Sequence, residues 1–134
     1  MHAVMGSADR ILIVDDDPIF REIAKEALAS AFADVRVAED GEDALRQLQA
    51  RAADVVLTDI NMPNRDGIEL IRDIRNSWPA CRIIAISGGT RMAGPDLFLQ
   101  LASALGAHQV LSKPVSAAAL VAAVRGAPSS VQAG

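Results

Sequence analysis

The sequence predicts a single α/β domain built on a five-stranded parallel, doubly wound sheet with five flanking helices, and three observations lead there. Five short apolar runs recur with amphipathic stretches between them. Those runs are near-continuous in Ile, Leu, Val and Ala, as strands covered on both faces require. The polar residues with chemical potential collect where the runs end. Strict alternation of this kind implies right-handed crossovers, with helices on both faces of the sheet.

Taken in order, the first strand spans Arg10 to Val14. Pro18 then suits the first turn of a helix whose apolar face is expected at Ile19, Ile23, Ala27 and Ala31. The second strand, Asp34 to Ala38, leads to Asp40, an N-cap for a helix carrying Ala44, Leu45 and Leu48. The third strand is expected at Asp54 to Thr58, and Gly67 precedes a helix with Ile68, Leu70, Ile71 and Ile74. After a fourth strand, Arg82 to Ser87, the row Leu97, Leu101 and Leu105 predicts a fourth helix closed by Gly106. The fifth strand, Gln109 to Ser112, precedes an Ala-rich helix over Ala117 to Val124 that ends near Gly126. Residues 1–9 are expected to form a flexible arm, residues 10–126 the domain, and residues 127–134 a frayed tail.

Composition narrows the function classes. The chain of 134 residues is 51% apolar yet only 3% aromatic, so the core must come from aliphatic side chains. A domain of this size buries roughly two-thirds of its unfolded surface and needs no disulfide or structural metal. The single cysteine, Cys81, excludes an internal disulfide framework and suits a reducing, cytoplasmic setting, where it packs as a small hydrophobe. No run approaches the roughly 20 apolar residues of a membrane span, and the N-terminus lacks the pattern of a secretion signal. A net charge of −4 without a Lys/Arg cluster excludes a nucleic-acid footprint.

Asp15 and Asp16 follow the first strand, Asp59 the third, Ser87 ends the fourth and Lys113 follows the fifth. In a sheet of order 2-1-3-4-5 the strand order reverses between strands one and three, and ligands bind outside the carboxyl ends there. The edge strand carries no such residue. Carboxylates about 4 Å apart repel by roughly 4 kcal/mol at an effective dielectric near 20, so a positive partner is required. A hard cation such as Mg²⁺ takes oxygen ligands, and Lys113 supplies a compact second cation. Together they favour an ionised, nucleophilic Asp59 and neutralise an incoming phosphoryl group. Ser87, with a rotatable hydroxyl, is placed to bond the new phosphoryl oxygens and draw its loop inward.

Ile11-Leu-Ile-Val-Asp-Asp-Asp-Pro18, Thr58-Asp-Ile-Asn-Met-Pro63 with Asp66-Gly67, Ile86-Ser-Gly88 and Leu111-Ser-Lys-Pro114 together resemble the receiver domain of two-component response regulators, over about residues 10 to 125. The resemblance implies a flavodoxin-like fold and a stand-alone receiver in a phosphorelay, with Asp59 as phosphoacceptor. It implies Mg²⁺, with Mn²⁺ as a substitute, held by Asp15, Asp16, Asp59 and the backbone carbonyl of Asn61. Ser87 becomes the switch hydroxyl and Lys113 the phosphate partner. A sensor histidine kinase or phosphotransfer protein is the implied donor, and a protein target the implied output. The chemistry is then autocatalytic acceptance and hydrolysis, not enzymatic turnover of an external substrate. The Lys113-Pro114 peptide is similar to one that is cis in the family.

Several positions depart from that pattern. Val110 stands where many receivers carry an aromatic residue, which removes the usual rotamer readout. The interval from Ser87 to Lys113 is longer than usual and holds Gly88-Gly89 and Gly94-Pro95, which predicts a mobile loop and an output surface there; a homodimer through the fourth helix stays open. Arg65 replaces a frequent Met, and Gly89 predicts poor shielding of the phosphoryl group from water. Two rival readings remain. Asp15-x-Asp17 with Ser87 and Lys113 also resembles aspartate-nucleophile phosphohydrolases of the haloacid dehalogenase type, although nothing acidic follows Lys113. The other rival is a receiver-like adaptor that needs no phosphorylation. Asp17 reads as a helix cap, and His108 as a surface residue without a metal role.

Overall fold

The computed structural model describes residues 10–60, 67–87, 100, 104 and 106–126. Its elements run β1 (Arg10–Val14), α1 (Pro18–Ala29), β2 (Asp34–Ala38), α2 (Gly41–Ala50), β3 (Val55–Asp59), α3 (Gly67–Ser77), β4 (Arg82–Ser87), β5 (Gln109–Ser112) and α4 (Ala117–Arg125). The strands form one sheet in the order β2-β1-β3-β4-β5, and every pairing is parallel. The expected α/β architecture and strand order are therefore observed. The helix expected at Leu97, Leu101 and Leu105 falls on residues outside the described set, although Gln100 and Ala104 are helical. The expected arm and tail also lie outside it.

Period-two alternation along each strand divides the core into two layers. Leu12, Val14, Val56, Ile83 and Ala85 meet Ala44, Leu48, Leu70, Ile71 and Ile74 of α2 and α3. On the opposite face, Ile11, Ile13, Val55, Leu57, Ile84 and Ile86 meet Ala24, Leu28, Leu120, Ala123 and Val124 of α1 and α4. Burial on both faces explains the continuous apolar runs Ile11–Val14, Val55–Leu57 and Ile83–Ile86 of the three inner strands, whereas the edge strand β2 carries Asp34 and Arg36. No helix among the described residues is long and apolar enough to cross a membrane.

The helix termini are satisfied largely as their sequences predict. Asp17, Asp40 and Ser116 accept the backbone N–H groups of Ile19, Asp43 and Ala119 at 3.0, 2.9 and 3.0 Å. Gly126 closes α4 in the left-handed region at φ 81°. The Arg82 guanidinium also donates to the carbonyls of Ala123 and Val124 at 2.9 and 2.8 Å, tying the last turn of α4 to β4.

Two expectations shift. β3 begins at Val55 and ends on Asp59, one residue later than predicted. The Asp54 carboxylate instead accepts the Arg10 N–H at 2.9 Å, so Asp54 closes the strand's entrance. The buried face of α1 is also rotated. Ile19 and Ile23 are 70% and 56% exposed, whereas Ala24 and Leu28 are fully buried with Phe20 and Ala27 beside them. The physical reason is geometric: each step of four residues turns the helix by roughly 40° beyond a full revolution. A strict i, i+4 row therefore drifts off its face, while Phe20, Ala24, Ala27 and Leu28 hold one stripe.

Candidate functional site

The parallel register brings the carboxyl ends of β1, β3, β4 and β5 to one level: Val14 pairs with Thr58, Asp59 with Ile86, and Ser87 with Ser112. The next residue or the last one of each strand then faces a common crevice. Asp15 is fully buried there, Asp59 is 5% exposed, and Ser87 is buried at the end of β4. Asp16 is exposed at the mouth.

The turn after β1 is built around Asp15. Its N–H donates to the Ala38 carbonyl at 3.2 Å, its Oδ1 accepts the Asp17 N–H at 2.9 Å, and its carbonyl accepts Arg21 Nη1 at 2.7 Å. These bonds fix the carboxylate before any ligand arrives. Asp17 spends its own side chain on the helix cap, as expected. From the far side, the Lys113 N–H donates to the Ser87 carbonyl at 2.8 Å, which anchors the residue to β4. Its Nζ then lies 3.0 Å from Asp15 Oδ2 and 3.6 Å from Asp59 Oδ2. Burial by itself lowers the Lys113 pKa, but the hydrogen bond to Asp15 and the charges of Asp59, Asp15 and Asp17 outweigh it and hold the pKa above its usual value. The Lys113-Pro114 peptide is cis.

One oxygen from each of Asp15, Asp16 and Asp59 can be chosen so that all lie within 4.8 Å of one another. Among the described residues, three carboxylates meet the ammonium of Lys113, which leaves two negative charges for a divalent cation to balance. An all-oxygen donor set of this size suits a hard cation such as Mg²⁺. The expected fourth protein ligand, the carbonyl of Asn61, lies outside the described residues, as do Arg65, Asp66, Gly88, Gly89 and the Gly94-Pro95 pair.

Three contributors were not apparent from the sequence. Gly67 packs so tightly on the end of β3 that an added Cβ would lie 2.0 Å from the Asp59 carbonyl oxygen. Its N–H donates to the Ile60 carbonyl at 3.1 Å, so the absence of a side chain sets how closely α3 approaches Asp59. Arg21 holds the Asp15 carbonyl, and the ring of Phe20 lies under the Lys113 ammonium, 4.3 Å from Nζ to its centroid. The available signal was position: both residues sit in the first turn of α1, directly after the acidic turn.

The remaining residues play structural parts. Val110 is half-buried against the core layer of α2 and α3. Cys81 is buried in that same layer, and burial, with the nearby Asp54 charge, pushes its thiol up to about 11, which keeps it protonated and inert. His108 is exposed as expected, yet its Nδ1 accepts the Ile83 N–H at 3.0 Å and thereby extends the β4–β5 pairing by one bond.

Comparison with known proteins agrees with this geometry. Residues 11–125 match the model of the response regulator receiver domain. The transcriptional regulatory protein TrcR of Mycobacterium tuberculosis is 35% identical over 126 residues, 94% of this chain and 48% of that protein. The sensor histidine kinase RcsC of Escherichia coli is 36% identical over 106 residues, 79% of this chain and 11% of that protein. The chain thus spans about half or less of these curated relatives. Among solved structures, the receiver domain of NtrX from Brucella abortus superposes with a TM-score of 0.77 at 30% identity, covering 84% of this chain and 92% of that one. The chemotaxis protein CheY4 of Vibrio cholerae gives 0.79 at 27% identity, covering 91% and 100%. With a matched span that runs from β1 through the end of α4 and includes every strand end of the crevice, the chain belongs to the response regulator receiver domain family.

Proposed function

We propose that the chain is a phosphorylation switch in a two-component phosphorelay, with Asp59 as the phosphoacceptor. The observation that carries this reading is the Asp59 carboxylate itself: at the end of the central strand, nearly buried, grouped with Asp15 and Asp16, and 3.6 Å from the Lys113 ammonium. Asp15, Asp16, Asp59 and the backbone carbonyl of Asn61 would hold Mg²⁺, or Mn²⁺ in its place. When bound, the cation supplies charge neutralisation for the phosphoryl oxygens.

The donor is a phosphohistidine on a sensor histidine kinase or phosphotransfer protein. An Asp59 carboxylate oxygen attacks phosphorus, the P–N bond breaks, and its electron pair leaves with the imidazole. The product is an acyl phosphate on Asp59. Lys113 holds a phosphoryl oxygen, and the Ser87 hydroxyl rotates onto another, drawing its loop inward. Hydrolysis reverses the charge: water attacks phosphorus, the acyl P–O bond breaks, and inorganic phosphate leaves a free carboxylate. The cycle acts on the protein's own side chain, so its product is a changed surface for a protein target. The reading sets the protein in the cytoplasm, where a lone reduced cysteine is ordinary.

The test is incubation with acetyl phosphate and Mg²⁺, followed by intact-mass measurement and acid-quenched peptide mapping. One phosphoryl group on Asp59, absent in Asp59→Asn and absent when Mg²⁺ is chelated, is the expected result. A phosphoryl group on Asp15 would instead support the phosphohydrolase alternative, and no modification under any condition would support the adaptor.

A further inference from the structure

The geometry points to Phe20 as a positioning residue for Lys113, an inference that rests on the proposed phosphorylation at Asp59. Among the described residues, Lys113 meets Asp15 Oδ2 at 3.0 Å, Asp59 Oδ2 at 3.6 Å and the face of the Phe20 ring at 4.3 Å. The two carboxylates are the same groups that a divalent cation would take. A cation seated there would draw on the same two carboxylates and repel the ammonium. Of these described partners, the aromatic ring is the one such a cation does not take.

A lysine head is a strongly hydrated point charge on a flexible stem, so without a partner it swings into solvent. The ring face attracts it through its quadrupole, using no lone pair that a metal would contest. Phe20 is well placed to stay fixed while the charges exchange. It is half-buried against the core layer shared by α1 and α4. It also lies one turn into a helix capped by Asp17, whose N–H orients Asp15. One turn of chain therefore aims both the carboxylate that Lys113 gives up and the ring that keeps it. Anchored through its backbone to Ser87, Lys113 stays poised over the crevice for the incoming phosphoryl oxygens.

The bland alternative is that Phe20 merely fills space beside the lysine stem. Three replacements separate the two: Phe20→Leu removes the ring, Phe20→Tyr keeps its electron-rich face, and pentafluorophenylalanine keeps its shape while reversing the quadrupole. In wild-type protein, the Lys113 Cε methylene protons should resonate upfield through the ring current and stay upfield as Mg²⁺ is titrated to saturation. Phe20→Leu should abolish that shift. At saturating Mg²⁺, phosphorylation by acetyl phosphate should slow roughly fivefold in Phe20→Leu and with the fluorinated ring, while Phe20→Tyr stays within about twofold of wild type. The inference is overturned if the methylene signal relaxes to its ordinary position on Mg²⁺ addition, or if the fluorinated ring supports the wild-type rate. A wild-type protein that acetyl phosphate never modifies would sink the phosphorylation reading alone, because the methylene shift still decides where Lys113 rests. Should Phe20→Leu fail to fold, the two ring-bearing variants carry the comparison.

Discussion

Replacing Lys113 with methionine keeps most of the stem volume but removes the ammonium from two nearly buried carboxylates. At an effective dielectric near 20, the pairs at 3.0 and 3.6 Å amount to about 5.5 and about 4.6 kcal/mol of gross attraction. Much of that is offset, because the wild-type ammonium gives up part of its hydration on folding and its side chain is still 22% exposed to screening water. A net loss of about 3 kcal/mol remains, the low end for breaking a buried pair. For a domain of this size that corresponds to a melting temperature lower by about 12 °C. Calorimetry in EDTA measures it directly. The same experiment with millimolar Mg²⁺ gives a second reading, because the cation and Lys113 compete for the same oxygens. Mg²⁺ should therefore raise the melting temperature of the variant more than that of the wild type. A metal-free drop below about 3 °C, or equal Mg²⁺ increments in the two proteins, would refute the view that Lys113 balances this acidic cluster.

Gly67→Ala drives a Cβ into the backbone at the end of β3, 2.0 Å from the Asp59 carbonyl oxygen and 2.6 Å from the Ile60 Cα, so urea unfolding should register a loss above about 3 kcal/mol. Stability within about 1 kcal/mol of wild type would contradict the close approach of α3. Leu28→Ala, in the buried stripe of α1, should cost about 3 kcal/mol, whereas Ile23→Ser on the exposed flank should change stability by under about 0.5 kcal/mol; a reversed order would restore the face first expected for this helix. His108 is held below its ordinary pKa of 6.5 by partial burial and by the charges of Arg75 and Arg82. Its contribution is therefore complete above pH 6.5 and is lost as pH falls through the lower folded-state value. Protonation also removes the Nδ1 acceptor of the Ile83 N–H, so His108→Gln should flatten the loss of stability as pH falls below 6.5. Parallel pH profiles for the two proteins would rule this out.

The inner strands β1, β3 and β4 were legible because both their faces are buried, so their apolar runs stand out against the amphipathic helices. The site was legible for a related reason: Asp15, Asp16, Asp59, Ser87 and Lys113 follow or end those runs, and parallel topology gathers such positions in one crevice. What escaped depended on rotation and close approach. The start of β3 was misread by one residue because Asp54 bonds Arg10 across the sheet's entrance, a long-range contact without a local signature. Ile19 and Ile23 are as apolar as the residues actually buried, so hydrophobicity alone could not set the phase of α1. Gly67 was visible as a helix start but not as a glycine pressed on the Asp59 carbonyl, and Phe20 reads as an ordinary core residue until Lys113 is seen above it.

The hydrogen bond between Lys113 and Asp15 joins residues separated by 98 positions. Between them lie β2, β3, β4 and β5 with their crossovers, and three parallel pairings, β1–β3, β3–β4 and β4–β5, separate the two residues across the sheet. The bond therefore closes only after those three have each overcome their own loop-closure entropy. Any partly folded form that lacks the β4–β5 pairing holds the acidic cluster without its ammonium, and is destabilised by that cluster's own repulsion. The charged crevice thus works as a completeness check on folding. An incomplete sheet is penalised electrostatically, and docking of the last strand relieves part of that penalty.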